Sequence, residues 1–460
     1  MLKVNDPSDE INEMAEDWAI VDALLGGTSE IRKAGKAYLP IMRAEDEDSY
    51  LVRLKSATLF PALSRTVSVM ASKPFSKPLV IGKDVPATMA AWDGNIDLQG
   101  NNLHNFAYNI LYEALAYGLC GVLVDYPKAP GVETLADERA IGVRPYFVRI
   151  KHSQILGWKS AMVNGACKLT QLRIADEAYV DDGAFGSKEV KRVRVYEPGK
   201  WMLYEEQDTS AKKREYVLIE EGVTTLAEIP FVPFYGKKCE FMEGESPLIE
   251  LAHLNVQHWQ DSSDQQKSVR FARVRIAVLI GADDLNGPTQ LGADYFMKLP
   301  FGADIKIVQG SAESVKIGRE ELNALEDQMA SMGAELLIQK PNGSRTATED
   351  NNDAEASKSD LQRIAQGVED GIDQCLQFMA QWAGEKQGGH VELFDDYGSG
   401  SLSDASSQLI VTMQQAGLLS KATAIKEQQR RNVLSADLVP EDELALIEAE
   451  GPALGVMGAQ

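Results

Sequence analysis

The stretch that most constrains this chain begins at Ser246-Pro247. Serine is a favoured helix cap, and proline suits the first helical turn, where its missing N–H has no partner to lose. Leu248, Leu251, Ala252 and Trp259 give the following helix an apolar side. From Gln260 to Ser268 the side chains are polar on every face for more than two turns, and Arg270, Arg273 and Arg275 close the run, as suits a helix C-terminus. A helix polar all round is either solvent-bridging or faces copies of itself through polar contacts. A helix that starts apolar and ends this way is expected to leave the domain in which it is rooted.

The residues after this helix support an excursion. Residues 276–280, 295–299 and 305–308 are short β-type runs, with turns at Asn286-Gly287-Pro288 and 300–302. Leu322, Leu325, Met329, Met332 and Leu336 then recur with heptad-like spacing, which predicts a helix coming back. Residues 340–345 form a turn-rich loop with two basic groups, Lys340 and Arg345. Taken by itself, such a loop is better read as a plain surface connection. The next pattern, 353–386, carries Leu361, Ile364, Val368, Ile372, Cys375, Met379 and Trp382 on one stripe. It predicts the longest helix, about 50 Å at ~1.5 Å per residue. A strand at 391–394 and short helices at 404–415, 421–432 and 441–450 come next, and the small-residue tail 451–460 is expected to be disordered.

The N-terminal half reads as helices and then strands. Asp6-Pro7-Ser8 starts a helix whose apolar positions are Ile11, Met14, Trp18, Val21 and Leu25, and Gly26-Gly27 is expected to end it. A second helix is predicted over 49–72, broken by Pro74 and Pro78 before a strand at 79–81. A third spans 102–119 and leads into the strand Val122-Leu123-Val124. Between 143 and 233, runs at 145–150, 168–174, 191–197, 200–205 and 214–219 predict an antiparallel sheet, with loops at Asp181-Asp182-Gly183 and 207–212. The class is α+β.

Composition narrows the function. At 460 residues the chain implies about two to four domains. No apolar run approaches the roughly 20 residues of a membrane helix, so no membrane partner is expected. The first residues lack the apolar centre of a signal peptide, which points to a cytoplasm-like site of synthesis. The net charge of −23 argues against a groove that grips nucleic acid, yet it allows a surface that DNA slides past. Four cysteines without CxxC spacing read as reduced, mostly buried thiols. His253 and His258 are five apart, so a helix does not stack them as metal ligands.

Motifs for chemistry are weak. Asp125 ends a strand as in a nucleotide hydrolase, but no GxxxxGK[ST] loop occurs, and 183–188 has the wrong spacing. Asp283-Asp284 and Asp395-Asp396 could hold a divalent ion in a metal-dependent nuclease, although acidic pairs beside glycine are common in turns. No GxSxG elbow or Cys/His pair stands out. The expectation is a self-associating assembly component, without enzymatic activity, metal or cofactor.

Several passages together resemble one family. They are Trp18 with Gly26-Gly27-Thr28, Gly35-Lys36-Ala37-Tyr38-Leu39-Pro40 and Tyr50-Leu51-Val52-Arg53-Leu54. Ile96-Asp97 with Gly100, the run from Tyr117 to Pro127 and Arg144-Pro145-Tyr146 belong to the same set. Ser246-Pro247-Leu248-Ile249-Glu250-Leu251-Ala252 with Asn255, Gln328-Met329-Ala330 with Gly333-Ala334, Thr346-Ala347-Thr348-Glu349, and Gly417-Leu418-Leu419-Ser420 with Thr423 complete it. In order and spacing they resemble the tailed-phage portal proteins, in the group with an uncharacterised portal-like domain, over nearly the whole chain.

That resemblance implies a ring, commonly of about twelve subunits, at one capsid vertex. Double-stranded DNA would pass through its channel, and the particle would be assembled in the host cytoplasm. The terminase large subunit, the major capsid or scaffold protein and a head–tail adaptor would be its partners. The implied parts are a wing (1–244), a stem helix (245–271), a clip (272–317), a second stem helix (318–338), a tunnel loop (339–350), a long wing helix and strand (351–400), and a crown with a flexible tail (401–460). Lys340, Asn342, Ser344 and Arg345 fall in the tunnel loop. Gln260, Asp264, Lys267 and Arg270 fall in the stem, where the polar turns would face neighbouring stem helices across a wet ring. Asp283, Asp284 and Lys298 fall in the clip, the docking site for motor and adaptor. The clip is short and its helix has no clear place in this sequence. A nuclease and a channel-less scaffold for host proteins are the rival readings.

Overall fold

Ser8 lies in extended backbone ahead of α1 (Asp9–Leu25), whose first turn carries Asp9 and Glu10 at its positive end. The glycine pair does not stop the chain there. Gly26 keeps helical backbone and Gly27, at φ +73°, turns the chain into α2 (Gly27–Ala34), so the pair makes a corner between two helices. The computed structural model describes residues 3–127, 142–183, 185–208, 214–273, 276–280, 304–308, 312–337 and 359–395, with shorter pieces at 302, 310 and between 412 and 446.

The helix expected over 49–72 is two helices, α3 (Glu47–Ser56) and α4 (Ala62–Ser72). Pro61 explains the break, since it has no N–H to donate and disfavours helix in the residue before it. Asp46 caps α3 by accepting from the Ser49 N–H at 2.9 Å. After the short α5 (Ala87–Ala90) comes α6 (Leu103–Tyr117), capped by Asn102 and ended by Gly118 at φ +82°. A side chain at Gly118 would overlap the Glu245 backbone, so glycine is required there for space as well as for conformation.

The single sheet expected between 143 and 233 is two sheets. β2 (Leu119–Asp125) lies between β3 (Tyr146–Ile150) and β9 (Phe231–Tyr235), with Val122 opposite both Arg149 and Val232. A separate meander runs β4 (Ile155–Val163), β5 (Ala166–Asp182), β6 (Gly186–Glu197), β7 (Lys200–Asp208) and β8 (Arg214–Val223). Sequence reading passed over β4 because Gly157, Lys159 and Ser160 interrupt its apolar pattern. Arg194 fastens the sheets together. It donates to Asp176 at 2.9 Å and lies 3.7 Å from Asp125, the strand-end carboxylate, which also accepts from the Tyr146 hydroxyl. Asp125 therefore has a structural partner set. A small hairpin, β10 (Lys237–Glu240) and β11 (Glu243–Glu245), leads to the excursion.

The long helix α7 (Ile249–Arg273) is buried in its first part at Leu251, Asn255 and Trp259. β12 (Ile276–Ile280) pairs antiparallel with β13 (Asp304–Val308), Ile276 opposite Val308, and α8 (Ala312–Glu335) returns. The returning helix thus begins at Ala312, six residues before the position expected from its apolar stripe, because its first turns are exposed and carry no stripe. α9 (Asp360–Ala383) opens with a capping box between Ser359 and Gln362. With 24 described residues it runs about 36 Å, and α7 with 25 is the longer helix. α9 lies on β9 and α6, and Gly371 lets Phe234 of β9 come up against its backbone. Beyond it, β14 (Val391–Glu392) pairs with β1 (Val80–Ile81), and α10 (Lys421–Arg430) is the helix described near the C-terminus. The expected helices at 404–415 and 441–450 fall largely, and the tail wholly, outside the described residues.

One core spans α1 to α9 around Ile110, Leu111, Phe234 and Trp259, and a smaller one joins α1 to the meander through Trp18, Ile155 and Leu172. The cysteines divide evenly. Cys120 and Cys375 are buried, whereas Cys167 and Cys239 are exposed, contrary to the expectation of mostly buried thiols.

Candidate functional site

The excursion is an antiparallel helix pair. Gln265 of α7 donates to the Val315 carbonyl at 2.6 Å, and farther back His258 Nε2 is 3.1 Å from Glu326 Oε1 of α8. Leu325, Met329 and Gly333 bury the inner stripe of α8, Leu336 is buried just beyond its end, and Gly333 rests on Thr66 of α4. His253 points to solvent while His258 is buried, so the two do not converge on a metal.

The polar half of α7 is held by the chain itself. Gln260, Asp264, Lys267 and Arg270 share one helical stripe, and that stripe faces the segment 38–53. Gln260 donates to the Tyr38 carbonyl at 3.0 Å. Asp264 is 3.6 Å from Arg53 Nη1, and Lys267 is 3.6 Å from Glu45 Oε1. Arg53 is the hub. Its Nε and Nη2 donate to the two carboxylate oxygens of Glu45 at 2.9 and 2.7 Å, and Nη2 also reaches the Pro40 carbonyl at 2.6 Å.

Hydrogen bonds from Arg53 hold the Glu45 carboxyl below its ordinary range, while burial pushes Asp264 up. Arg270 lines the same groove beside Asp48 and Val52, and has no ion-pair partner among the described residues. Three of the four residues, Gln260, Asp264 and Lys267, thus have contacts within the chain.

Other expected site residues lie elsewhere. Lys340, Asn342, Ser344, Arg345, Asp283, Asp284, Lys298 and Asp396 are outside the described residues. Asp395 is exposed, and its carbonyl accepts from Gln362 at 2.7 Å. Among the described residues no three His, Cys, Asp or Glu side chains are grouped to hold a metal, and no helix is long and apolar enough to cross a membrane.

Two polar sites have roles that the sequence does not assign, although Asn255 is among the residues that carry the resemblance. Asn255, 1% exposed within α7, accepts from the Leu63 N–H at 3.1 Å and donates to the Phe60 carbonyl at 2.8 Å. It thereby satisfies the backbone that Pro61 leaves open between α3 and α4. Glu113, buried in α6, accepts from the backbone N–H of His152 at 3.1 Å and meets its ring Nδ1 at 3.0 Å. The His152 ring stacks on Tyr117 at 3.5 Å, with Trp18 edge-on. The signal for this second site is a lone carboxylate on an apolar helix face.

Residues 247–383 match a family model described as "Domain of unknown function (DUF4055)", a span that runs from the approach to α7 through the end of α9. No curated protein matches the sequence. Among solved structures, the chain is similar to a chain of the neck of an empty GTA particle with C6 symmetry, at 15% identity and TM-score 0.42, covering 81% of this chain and 90% of that one. It is similar to a chain of the virion of a native gene transfer agent (GTA) particle at 14% identity and TM-score 0.42, covering 86% and 97%. A chain of the native GTA neck with C12 symmetry gives 14% identity and TM-score 0.40, covering 82% and 91%.

Proposed function

We propose that this chain is a portal subunit of a tailed-phage-type particle, forming a ring at one capsid vertex through which double-stranded DNA is packaged and ejected. The observation that carries the reading is the excursion. Two antiparallel helices leave the mixed body, a β12–β13 ladder lies at their far end, and the chain returns to α9 in the core. A hollow assembly needs such a projecting pair to wall its channel, with the mixed body outside as the wing and the ladder as the clip.

Charge supports a channel that does not grip. α8 carries Glu313, Glu320, Glu321, Glu326, Asp327 and Glu335 against Lys316 and Arg319. A wall of that balance releases few counterions from DNA and so binds it weakly. In this reading the clip docks the terminase large subunit during packaging and the head–tail adaptor afterwards. The wing meets the major capsid or scaffold protein, the C-terminal residues form the crown, and Lys340 and Arg345 touch DNA from the tunnel loop.

The experiment is imaging of the purified full-length protein by negative-stain microscopy, with light scattering on the same sample. Closed rings with a central channel are the expected result. Monomers and dimers alone at micromolar concentration would overturn it. In a magnesium- or manganese-dependent cleavage assay, no cleavage by the unmodified protein, or cleavage unchanged by alanine at Asp283, Asp284, Asp395 and Asp396, excludes the nuclease reading.

A further inference from the structure

The five-stranded meander has two open edges. β4 and β8 are its outermost strands, and neither outer edge meets another strand among the described residues. Exposed edge strands template pairing with other chains, and proteins normally blunt them with charge or cover them. Here the middle of β8 is apolar, with Val217, Leu218 and Ile219 each 40% exposed or more and Val223 87% exposed, while Arg214, Glu215, Glu220 and Glu221 place charge toward its two ends. On β4, Met162 is 70% exposed. The inner end of β4 is already covered, because the Ser8 N–H donates to the Leu156 carbonyl at 2.8 Å, which leaves residues 159–163 open.

Charge on one face says what fits. Lys159 of β4 pairs in register with Gln171, whose side chain donates to Glu197 of β6 at 2.8 Å. Glu197 pairs with Lys200 of β7, also at 2.8 Å, and Glu221 of β8 stands beside Lys200. The charged members of the row therefore alternate, Lys159 and then, across the neutral Gln171, Glu197, Lys200 and Glu221, positive on one edge and negative on the other. A second copy placed with its Lys159 beside Glu221 continues the alternation without a break. Strand polarity agrees. An antiparallel meander of five strands has its first and last strands parallel, so a rotationally repeated neighbour always brings β4 to β8 in the same sense. That contact uses two different surfaces, the heterologous kind that closes rings.

We infer that the meanders of adjacent subunits join edge to edge, β8 of one copy pairing in parallel with β4 of the next, Glu221 opposite Lys159. The inference rests on the ring reading above. Val223 then lies beside Ala161 of the neighbour, on the same face as Lys159, and the wing becomes one continuous belt of sheet.

The test uses the full chain with the two exposed thiols replaced, Cys167→Ser and Cys239→Ser, and adds Lys159→Cys with Glu221→Cys. Oxidation of assembled protein should give a covalent ladder on a non-reducing gel, extending to the ring's subunit number, with neither single cysteine forming more than monomer. In a separate pair without added cysteines, Lys159→Glu should lower ring yield about tenfold, and adding Glu221→Lys should restore it. Both positions are exposed, so folding is unaffected and is checked by circular dichroism. Rings without a ladder overturn this contact and leave the ring reading standing. Dimers from Glu221→Cys alone overturn it in favour of a two-fold β8–β8 pairing. Absence of rings from the unmodified protein overturns both.

Discussion

Arg53 and Glu45 meet through two hydrogen bonds, 2.9 and 2.7 Å, with side chains only 7% and 2% exposed. The guanidinium fork matches the carboxylate, so the pair is bidentate and geometrically specific. Breaking one partner of a buried pair leaves the other charged and unsolvated, at a cost of about 3–5 kcal/mol. Arg53→Met is expected to lose stability of that order in urea unfolding, and Arg53→Lys to recover only part of it. The pH dependence has a definite sign. Glu45 titrates below its ordinary 4.5, so its contribution is complete above that pH and is lost as the pH falls through the lower folded value. Asp264, raised above 3.8 by burial, works in the opposite direction. The acid loss of stability should therefore shrink in Glu45→Gln and persist in Asp264→Asn.

Asn255→Leu should cost about 1–3 kcal/mol, because it leaves the buried Leu63 N–H without its acceptor, while the Phe60 carbonyl keeps the Ala62 N–H at 2.9 Å. Thermal unfolding of the variant against wild type measures it. A change under about half a kcal/mol would mean that the α3–α4 break does not depend on this side chain.

His390 should titrate above 6.5. Its ring Nδ1 lies 2.8 Å from Asp84, and that hydrogen bond favours the protonated form. The same contact holds Asp84 below 3.8, so the pair is complete between the two pKa values. The histidine's share is lost as pH rises, and the aspartate's as pH falls. A histidine NMR titration reads this directly, and Asp84→Asn should move the midpoint down.

Replacing Lys340 and Arg345 with glutamine is expected to lower DNA retained per particle while ring assembly stays at wild-type yield. The contacts proposed for them are to phosphate, so the defect should be largest at low ionic strength and shrink as salt is raised. Normal packaging per ring with defective assembly would remove both residues from the channel.

The helices were readable where apolar spacing and caps coincide. Ser8, Asn102 and Ser246 each stand at the start of a helix that is present, and Gly118 stands at an end. Long-range polar partners were not readable. The intrachain partners of the polar run of α7 were hidden because Tyr38, Glu45 and Arg53, more than 200 residues earlier, carry no local mark of pairing with it. Pro61 marked the α3–α4 break, but the apolar pattern on either side masked it. β4 was hidden because an edge strand with one covered end has no need to alternate.

The way α7 is mounted has a mechanical consequence. Trp259 seats it fully in the core, and the Arg53 clasp grips its stripe at Asp264 and, through Glu45, at Lys267. Beyond that grip the helix runs on with its partner α8 to the β12–β13 ladder. It is a lever with its fulcrum at the clasp. Any tilt applied at the ladder must either break the Arg53 contacts or swing residues 38–53, and α3 with them, so that force at the tip is felt in the N-terminal helices.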